Sequence, residues 1–247
     1  MINNKQALLA RVLDMFARKF DKRAILRGGM VLRVLGSQRL TNDLDYVFVP
    51  YKSKKDISTE IIECLKSIDG AKVSHTFNSK CLRIVLTADE ATIQIEVKVA
   101  MDVKTSTTST KLFSPQFNLP QRIIHVVNYP VALANKMAAW NERRLIRDIY
   151  DIWFFLQMNV DPDIATLEAR LKKPCYSRLV RKEDYFKGKT MNEFYDFLRA
   201  KVSLLSDKDI TEAMSDHLPP KDTTGLSMMF RSALVRLHSP PPESPAT

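Results

Sequence analysis

The sequence has few of the residues that build disulfide frameworks, zinc sites or histidine-based catalytic sites. It contains three cysteines with no C-x-x-C pair and four scattered histidines with no H-E-x-x-H or H-x-H spacing. A disulfide framework and a structural zinc site are therefore not indicated, and we expect the cysteines to act as small core hydrophobes. Catalysis is left to carboxylates, lysines and arginines. Such a set is typical of phosphate chemistry assisted by hard cations.

Long hydrophobic runs are also missing. No stretch approaches the roughly 18 uninterrupted apolar residues of a membrane span. The start, MINNKQALLARVLDMF, has no apolar region or cleavage site of a signal peptide. We therefore expect a cytoplasmic protein without a membrane partner. The chain is 45% hydrophobic and 27% charged, which is the composition of a globular protein rather than a disordered one.

The spacing of apolar residues changes along the chain. It predicts helices over 5–20, 30–35 and 55–68, strands over 44–49, 82–86 and 92–99, and an exposed polar loop over 104–111. Beyond residue 130 the spacing is helical almost to residue 237. We therefore divide the chain into an α/β core over 1–128, a helical domain over 129–238 and a disordered tail over 239–247.

Two aspartates on one predicted strand are the most informative feature. Asp43 and Asp45 project to the same side of the strand, while Leu44 between them enters the core. Two carboxylates this close repel each other unless they are well solvated or a cation such as Mg²⁺ neutralises them. Glu96, on the strand over 92–99, can complete a metal site if the two strands pair. The alternative is a solvated strand end or an Asx turn.

A glycine pair precedes this strand. Gly28 and Gly29 allow the backbone to approach a ligand closely, and the short helix that follows presents free N–H groups suited to a phosphate. A glycine pair is also a common turn. Its order and spacing relative to the aspartates favour the phosphate site.

The run GGMVLRVLGSQRLTNDLD resembles the signature G-G-[ST]-x-L…R-x-[ST]-x-D-[LI]-D of the AbiEii/AbiGii-type toxin nucleotidyltransferases, a branch of the polymerase-β-like superfamily. The matching positions are Gly28, Gly29, Leu32, Arg39, Thr41, Asp43 and Asp45. Met30 stands where members usually carry a Ser or Thr whose hydroxyl helps to hold the nucleoside triphosphate.

The resemblance implies an α+β fold, with a small mixed sheet flanked by helices and a helical C-terminal region. It implies that two Mg²⁺ ions are bound by Asp43, Asp45 and Glu96. The residues implied around the NTP are Gly28, Gly29, Met30, Arg39, Thr41, Lys136 and Arg147.

A lysine and two aspartates recur in the segment over 130–158. Lys136 lies at the boundary of a buried helical stripe, and Asp148 and Asp151, spaced i, i+3, share a face with Arg147 beside them. Ordinarily these residues would form an ion-pair network on a half-exposed face. The resemblance implies instead that Lys136 contacts the nucleotide, that the two aspartates support catalysis and that Arg147 positions them.

The charge favours an acidic partner. The net charge is +10, and basic residues concentrate over 1–40 and over 172–189, where Tyr176, Tyr185 and Phe186 are interleaved with them. This mixture suits phosphate contacts and base stacking, although basic clusters are also common on solvated faces. Some relatives of the resembled family modify the 3′ end of tRNA.

We therefore predict an Mg²⁺-dependent enzyme that moves a nucleoside monophosphate from an NTP to a hydroxyl acceptor, the 3′ end of tRNA. It would act as the toxin of a toxin–antitoxin pair, with an antitoxin protein as partner. Two alternatives stay open. One is a catalytically degenerate scaffold that binds nucleotide or protein, and the other is a transferase that acts on a small molecule or a protein.

Overall fold

The computed structural model describes residues 4–173, 185–186 and 188–237. The chain divides into two compact units, Met1–Asn128 and Tyr129–Thr247. The tail over 239–247, Cys175 and most of the basic cluster over 172–189 lie outside the described residues, so what was expected of them stays a prediction.

The first unit combines a sheet with helices. Its strands are β1 (Ala24–Arg27), β2 (Asp43–Phe48), β3 (Lys72–Phe77), β4 (Leu82–Ala88), β5 (Ala91–Val99), β6 (Thr105–Ser109) and β7 (Ile123–Val127). Its helices are α1 (Asn4–Phe20), α2 (Gly29–Val34) and α3 (Lys55–Lys66). The helices and strands predicted here from the apolar spacing are confirmed, with ends shifted by a few residues.

The strands form one mixed seven-stranded sheet in the order β3-β4-β5-β2-β1-β7-β6. The β2–β5 and β1–β7 pairs are parallel, and the remaining pairs are antiparallel. The strand that carries both aspartates, β2, is therefore the central strand. The expected α+β class with a mixed sheet is confirmed.

The sheet extends further along the sequence than expected. The prediction of a loop over 104–111 is wrong, because Thr105–Ser109 form the edge strand β6, paired with β7. Threonine suits a strand, and an edge position tolerates a polar segment without the alternation that marks a half-buried strand. The strands β1, β3 and β7 were not predicted. The sheet therefore continues to Val127.

Aromatic packing fixes which face of β2 is buried. Phe16 and Phe20 of α1 pack on Tyr46 and Phe48 of β2, with ring centroids 5.1 Å apart for Phe16–Tyr46 and for Phe20–Phe48. Leu44 lies on the same side and is fully buried. Because side chains alternate along a strand, this packing turns Asp43 and Asp45 to the opposite face of the sheet.

The second unit is built of helices in its described part. Its helices are α4 (Tyr129–Arg143), α5 (Ile146–Gln157), α6 (Ile164–Leu171), α7 (Met191–Ser203), α8 (Asp207–Met214) and α9 (Leu226–Leu234). The expected helical C-terminal region is confirmed. In the described part of the chain, no helix has the length and apolar character needed to cross a bilayer. Cys64 and Cys81 are buried, as expected of small core hydrophobes.

Candidate active site

The acidic pair lies on the half-buried face of the central strand. Asp43 and Asp45 are partly exposed, whereas Leu44 between them is 0% exposed. Parallel pairing of β2 with β5 sets Gln94 opposite Asp43 and Glu96 opposite Asp45. The expected pairing of the two strands is therefore present, and it puts three acidic side chains on one face of two adjacent strands.

The glycine pair lies against the residues of the sequence signature. A Cβ atom on Gly28, whose φ is +75°, would lie 2.3 Å from Oδ2 of Asp45, so only glycine permits this carboxylate to rest on the backbone. A Cβ atom on Gly29 would lie 2.6 Å from Nη2 of Arg39 and 3.0 Å from Oγ1 of Thr41. The dispersed residues of the sequence signature thus meet around one glycine pair.

Arg39 and Thr41 act on this cluster from within the protein. Arg39 and Thr41 are both buried, and the Thr41 hydroxyl donates a 2.7 Å hydrogen bond to Oδ1 of Asp43. Gln6 of α1, also buried, donates from Nε2 to the Thr41 carbonyl at 2.7 Å. The resemblance implied that Arg39 and Thr41 lie around the NTP, and this role stays a prediction. In the structure both lie against Gly29, and Gln6 is a support of Thr41 that no motif indicated.

Met30 is buried. It is 0% exposed, like its neighbours on the short buried helix α2. Its side chain therefore fills the core, and the place beside the NTP that the resemblance implied for Met30 stays a prediction. The apolar run from Met30 to Val34 was the available signal that this helix would be buried.

Glu96 is held by neighbours on the sheet. Its Oε1 accepts hydrogen bonds from Nη2 of Arg83 at 2.9 Å and from Nε2 of Gln94 at 3.1 Å. The strand register lines up Arg83, Glu96, Asp45 and Arg27 in one row across four strands. An arginine therefore flanks each end of the acidic row and offsets the repulsion between the two carboxylates.

Asp43 and Asp45 have the chemistry of a site for a divalent cation. Both are partly exposed oxygen donors on one face of the sheet, so this pair fits a hard cation. Within the described residues, however, no group of three or more His, Cys, Asp or Glu side chains is arranged to hold a metal ion. The three carboxylates thus do not form a ready-made cage, and Arg83 engages Oε1 of Glu96.

Lys98 extends the charged face by one more row of β5. Burial, followed by the nearby charge of Arg27, lowers the pKa of Lys98, while Asp45 and Glu96 act in the opposite direction. A half-buried cation in this place adds positive potential beside the carboxylates. The sequence showed Lys98 on this face of the strand but gave it no role.

The acidic pair of the second unit is in a different environment. Asp148 and Asp151 are 0% exposed. The Lys136 ammonium lies 2.5 Å from Oδ2 of Asp151 and 3.8 Å from Oδ1 of Asp148, and its side chain is 17% exposed. The structure therefore brings these three predicted residues together, in a buried ion-pair cluster rather than on a half-exposed face.

The arginine of this cluster is Arg143 rather than Arg147. Arg143, at the end of α4, donates from Nε and Nη2 to the two carboxylate oxygens of Asp148, both at 2.6 Å. This hydrogen bond is the main cause of the raised pKa of Arg143. Among the described residues, the ion pairs of the cluster do not include Arg147. Adjacent residues on a helix diverge by about 100°, so sequence adjacency misled the assignment.

A known family matches most of the chain. Residues 11–236 match the family described as Nucleotidyl transferase AbiEii toxin, Type IV TA system. The chain belongs to the AbiEii family. It is accordingly a nucleotidyltransferase of toxin–antitoxin type, a system that implies an NTP as substrate and an antitoxin as partner. The resemblance inferred from the signature residues is confirmed.

Solved structures share the fold of this AbiEii-family chain. JHP933 from Helicobacter pylori superposes with a TM-score of 0.53 at 12% identity, covering 94% of this chain and 89% of that one. MenT4, a nucleotidyltransferase toxin from Mycobacterium tuberculosis, superposes with a TM-score of 0.50 at 18% identity, covering 96% and 93%. No curated protein matches the sequence significantly.

Proposed function

We propose that this AbiEii-family enzyme transfers a nucleoside monophosphate from an NTP to the 3′ hydroxyl of tRNA in the cytoplasm, with Mg²⁺ as cofactor. The observation that carries the proposal is the row formed by Asp45 and Glu96 on adjacent strands, with Asp43 on the same face and Gly28 against Asp45. The basic character of the chain supports a polyanionic acceptor.

The three carboxylates and the two glycines of the first unit have separate roles in the proposed reaction. Asp43 and Asp45 would hold the Mg²⁺, two ions in the complete site, and Glu96 would complete the site and receive the proton of the acceptor hydroxyl. The acceptor oxygen forms a bond to the α-phosphorus, the bond to the bridging oxygen breaks, and pyrophosphate leaves. Mg²⁺, when bound, would neutralise charge on the attacking and leaving oxygens. The backbone of Gly28 and Gly29 lies against the phosphates.

The second unit contributes through Lys136 in this proposal. As the resemblance implies, its ammonium would contact phosphate oxygens of a nucleotide as a compact point charge. The buried carboxylates of Asp148 and Asp151 fix where that charge lies. Asp148 and Asp151 are therefore positioning residues for Lys136, and Arg143 positions Asp148 in turn.

The test is incubation of the purified protein with total tRNA, Mg²⁺ and each labelled NTP in turn. We expect one or more NTPs to label tRNA and Asp45→Ala to reduce labelling by about 1,000-fold, since metal-assisted charge stabilisation is worth several kcal/mol and each ~1.4 kcal/mol is tenfold. Asp89→Ala is the matched control, because Asp89 is an exposed aspartate in the turn between β4 and β5. It should leave labelling unchanged.

Three outcomes would contradict the proposal. Binding of nucleotide without labelling of any RNA would favour a catalytically degenerate binding scaffold. Labelling of a protein or of a small molecule in place of tRNA would identify another acceptor. Labelling of tRNA that persists after removal of divalent cations with a chelator would exclude the role given to Asp43 and Asp45.

A further inference from the structure

A shallow cleft borders the acidic pair on the side of β5 and β4. It has a volume of about 310 Å³ and lies entirely within the first unit. Polar groups from α1, from the turn before β2 and from β5 surround an apolar strip. The lining includes Lys5, Asn42, Asp43, Val85, Thr92 and Gln94.

The position of the cleft relative to the glycines indicates which substrate it takes. Gly28 follows β1, which flanks β2 on one side, whereas β5 and then β4 flank it on the other. In phosphoryl transfer the attacking and leaving oxygens lie roughly in line on opposite sides of the phosphorus. If the triphosphate lies against the glycines, as in the proposed function, the acceptor approaches from the side of the cleft.

The chemistry of the lining matches a nucleotide at the end of an RNA strand. The amides of Asn42 and Gln94 offer both donors and acceptors for the edge of a base, and the Lys5 ammonium suits a phosphate. Val85 is 36% exposed, which leaves an apolar surface for a base or a ribose. The volume lies at the lower end of the ~300–1,000 Å³ range of ligand pockets, so it suits one nucleotide.

The neighbouring strands leave an open path out of the cleft. On the same face, Ser74 of β3 pairs with Val85 of β4, and Lys72 pairs with Thr87. Both β3 residues are exposed. Among the described lining residues, Asp43 is the only acidic one. A polar to basic surface therefore continues from the cleft to the edge of the sheet, where it can carry the phosphates that precede the terminal nucleotide.

We infer that this cleft is the acceptor subsite, in which the terminal nucleotide of a single-stranded RNA 3′ end lies beside Asp43. The inference rests on the proposed function, since it takes the NTP to occupy the glycine side. Val85 contributes contact area to the RNA and takes no part in holding the nucleotide triphosphate. Lys5 contributes an electrostatic contact.

The test fills the cleft without touching the catalytic groups. Val85→Trp should raise the KM for a tRNA acceptor about tenfold, because the larger side chain fills volume that the terminal nucleotide needs, and leave the KM for the NTP within about twofold. Fluorescence anisotropy with a short fluorescein-labelled RNA strand should show the same loss of affinity. The matched control is Ile123→Trp, an exposed branched residue on β7 of the same sheet. It should change neither constant.

A second variant covers the case in which Val85→Trp does not fold, which circular dichroism would reveal. Lys5→Ala removes one cation from a partly exposed position. It should weaken RNA binding and lower the slope of log affinity against log salt by about 0.7, the value for one phosphate contact on a single strand. NTP binding should be unchanged.

The outcomes separate this inference from the proposed function. If the unaltered protein labels no tRNA, the proposed function fails. If it labels tRNA but Val85→Trp and Lys5→Ala leave the KM for RNA unchanged, only the subsite is overturned. If Val85→Trp raises the KM for the NTP and not for RNA, the cleft holds the base of the incoming nucleotide, which also overturns the inference.

Discussion

The two acidic pairs of the molecule differ in what surrounds them. Asp43 and Asp45 lie on a strand, partly exposed, with a glycine backbone and a second strand beside them. Asp148 and Asp151 lie on a helix, and both side chains are fully buried. Lys136 and Arg143 neutralise them. Sequence spacing describes both pairs equally well as clusters of carboxylates, but burial separates them.

The difference concerns where each pair can find a counter-charge. Buried charges are tolerated when they are paired and hydrogen-bonded, so Asp148 and Asp151 depend on the protein's own cations. Asp43 and Asp45 are partly exposed to solvent and can accept a cation from outside. The first pair is suited to bind a ligand, and the second to hold a protein cation in place.

The largest expected contrast is in stability. Asp148→Asn should lower the free energy of unfolding by about 3 kcal/mol, because loss of one partner of a buried ion pair leaves the other uncompensated. Asp45→Asn should lower it by less than about 0.5 kcal/mol or raise it, because it relieves repulsion with Glu96. Urea denaturation of both variants measures the difference.

Removal of Arg143 supplies the control for this prediction. The double variant Arg143→Met with Asp148→Leu should be more stable than Asp148→Asn alone, because it leaves no uncompensated charge at this ion pair. Equal unfolding free energies for Asp148→Asn and Asp45→Asn would contradict the distinction drawn between the two pairs.

A smaller loss of stability is expected when the contact between Gly28 and Asp45 is disturbed. Gly28→Ala should cost about 2 kcal/mol, because a Cβ atom is strained at φ +75° and meets the Asp45 carboxylate. Nucleotide transfer should fall with it. Gly70→Ala is the matched control, since Gly70 has φ +66° with open space around it. It should cost about 1 kcal/mol through strain alone and leave transfer intact.

The smallest expected effect concerns Lys98 beside the exposed pair. Because the pKa of Lys98 is lowered in the folded protein, the unfolded state binds more protons, and stability rises as the pH increases through that lowered pKa towards 10.5. Lys98→Met should therefore stabilise the protein at neutral pH, by about 0.5 kcal/mol. The gain should shrink as the pH approaches 10.5. A gain that is constant over this range would show that Lys98 carries no titration penalty.

The sequence was sufficient for elements whose apolar spacing is regular. The paired strands β4 and β5 and the amphipathic helix α1 were predicted because each buries one face and exposes the other. Two of the strands that were not predicted have little burial. β3 is exposed along most of its length, and β6 consists of threonine and serine, so neither shows the alternation that identifies a half-buried strand.

The candidate site was predictable in its residues but not in its contacts. The signature gave Asp45 and the glycines, yet nothing in it indicates that Arg83 engages Glu96 or that Gln6 supports Thr41, since these partners come from other elements. Arg143 was missed for the same reason. It lies on α4 and reaches Asp148 on α5, across a turn in which Arg144 has a positive φ.

The central place of β2 in the sheet has a consequence for control of the toxin. Backbone hydrogen bonds hold this strand from both flanks, so Asp45 and Glu96 cannot be pulled apart without dismantling the middle of the sheet. An inhibitor gains little from deforming such a rigid centre. The effective ways to silence it are to occlude its open face or to compete for the nucleotide.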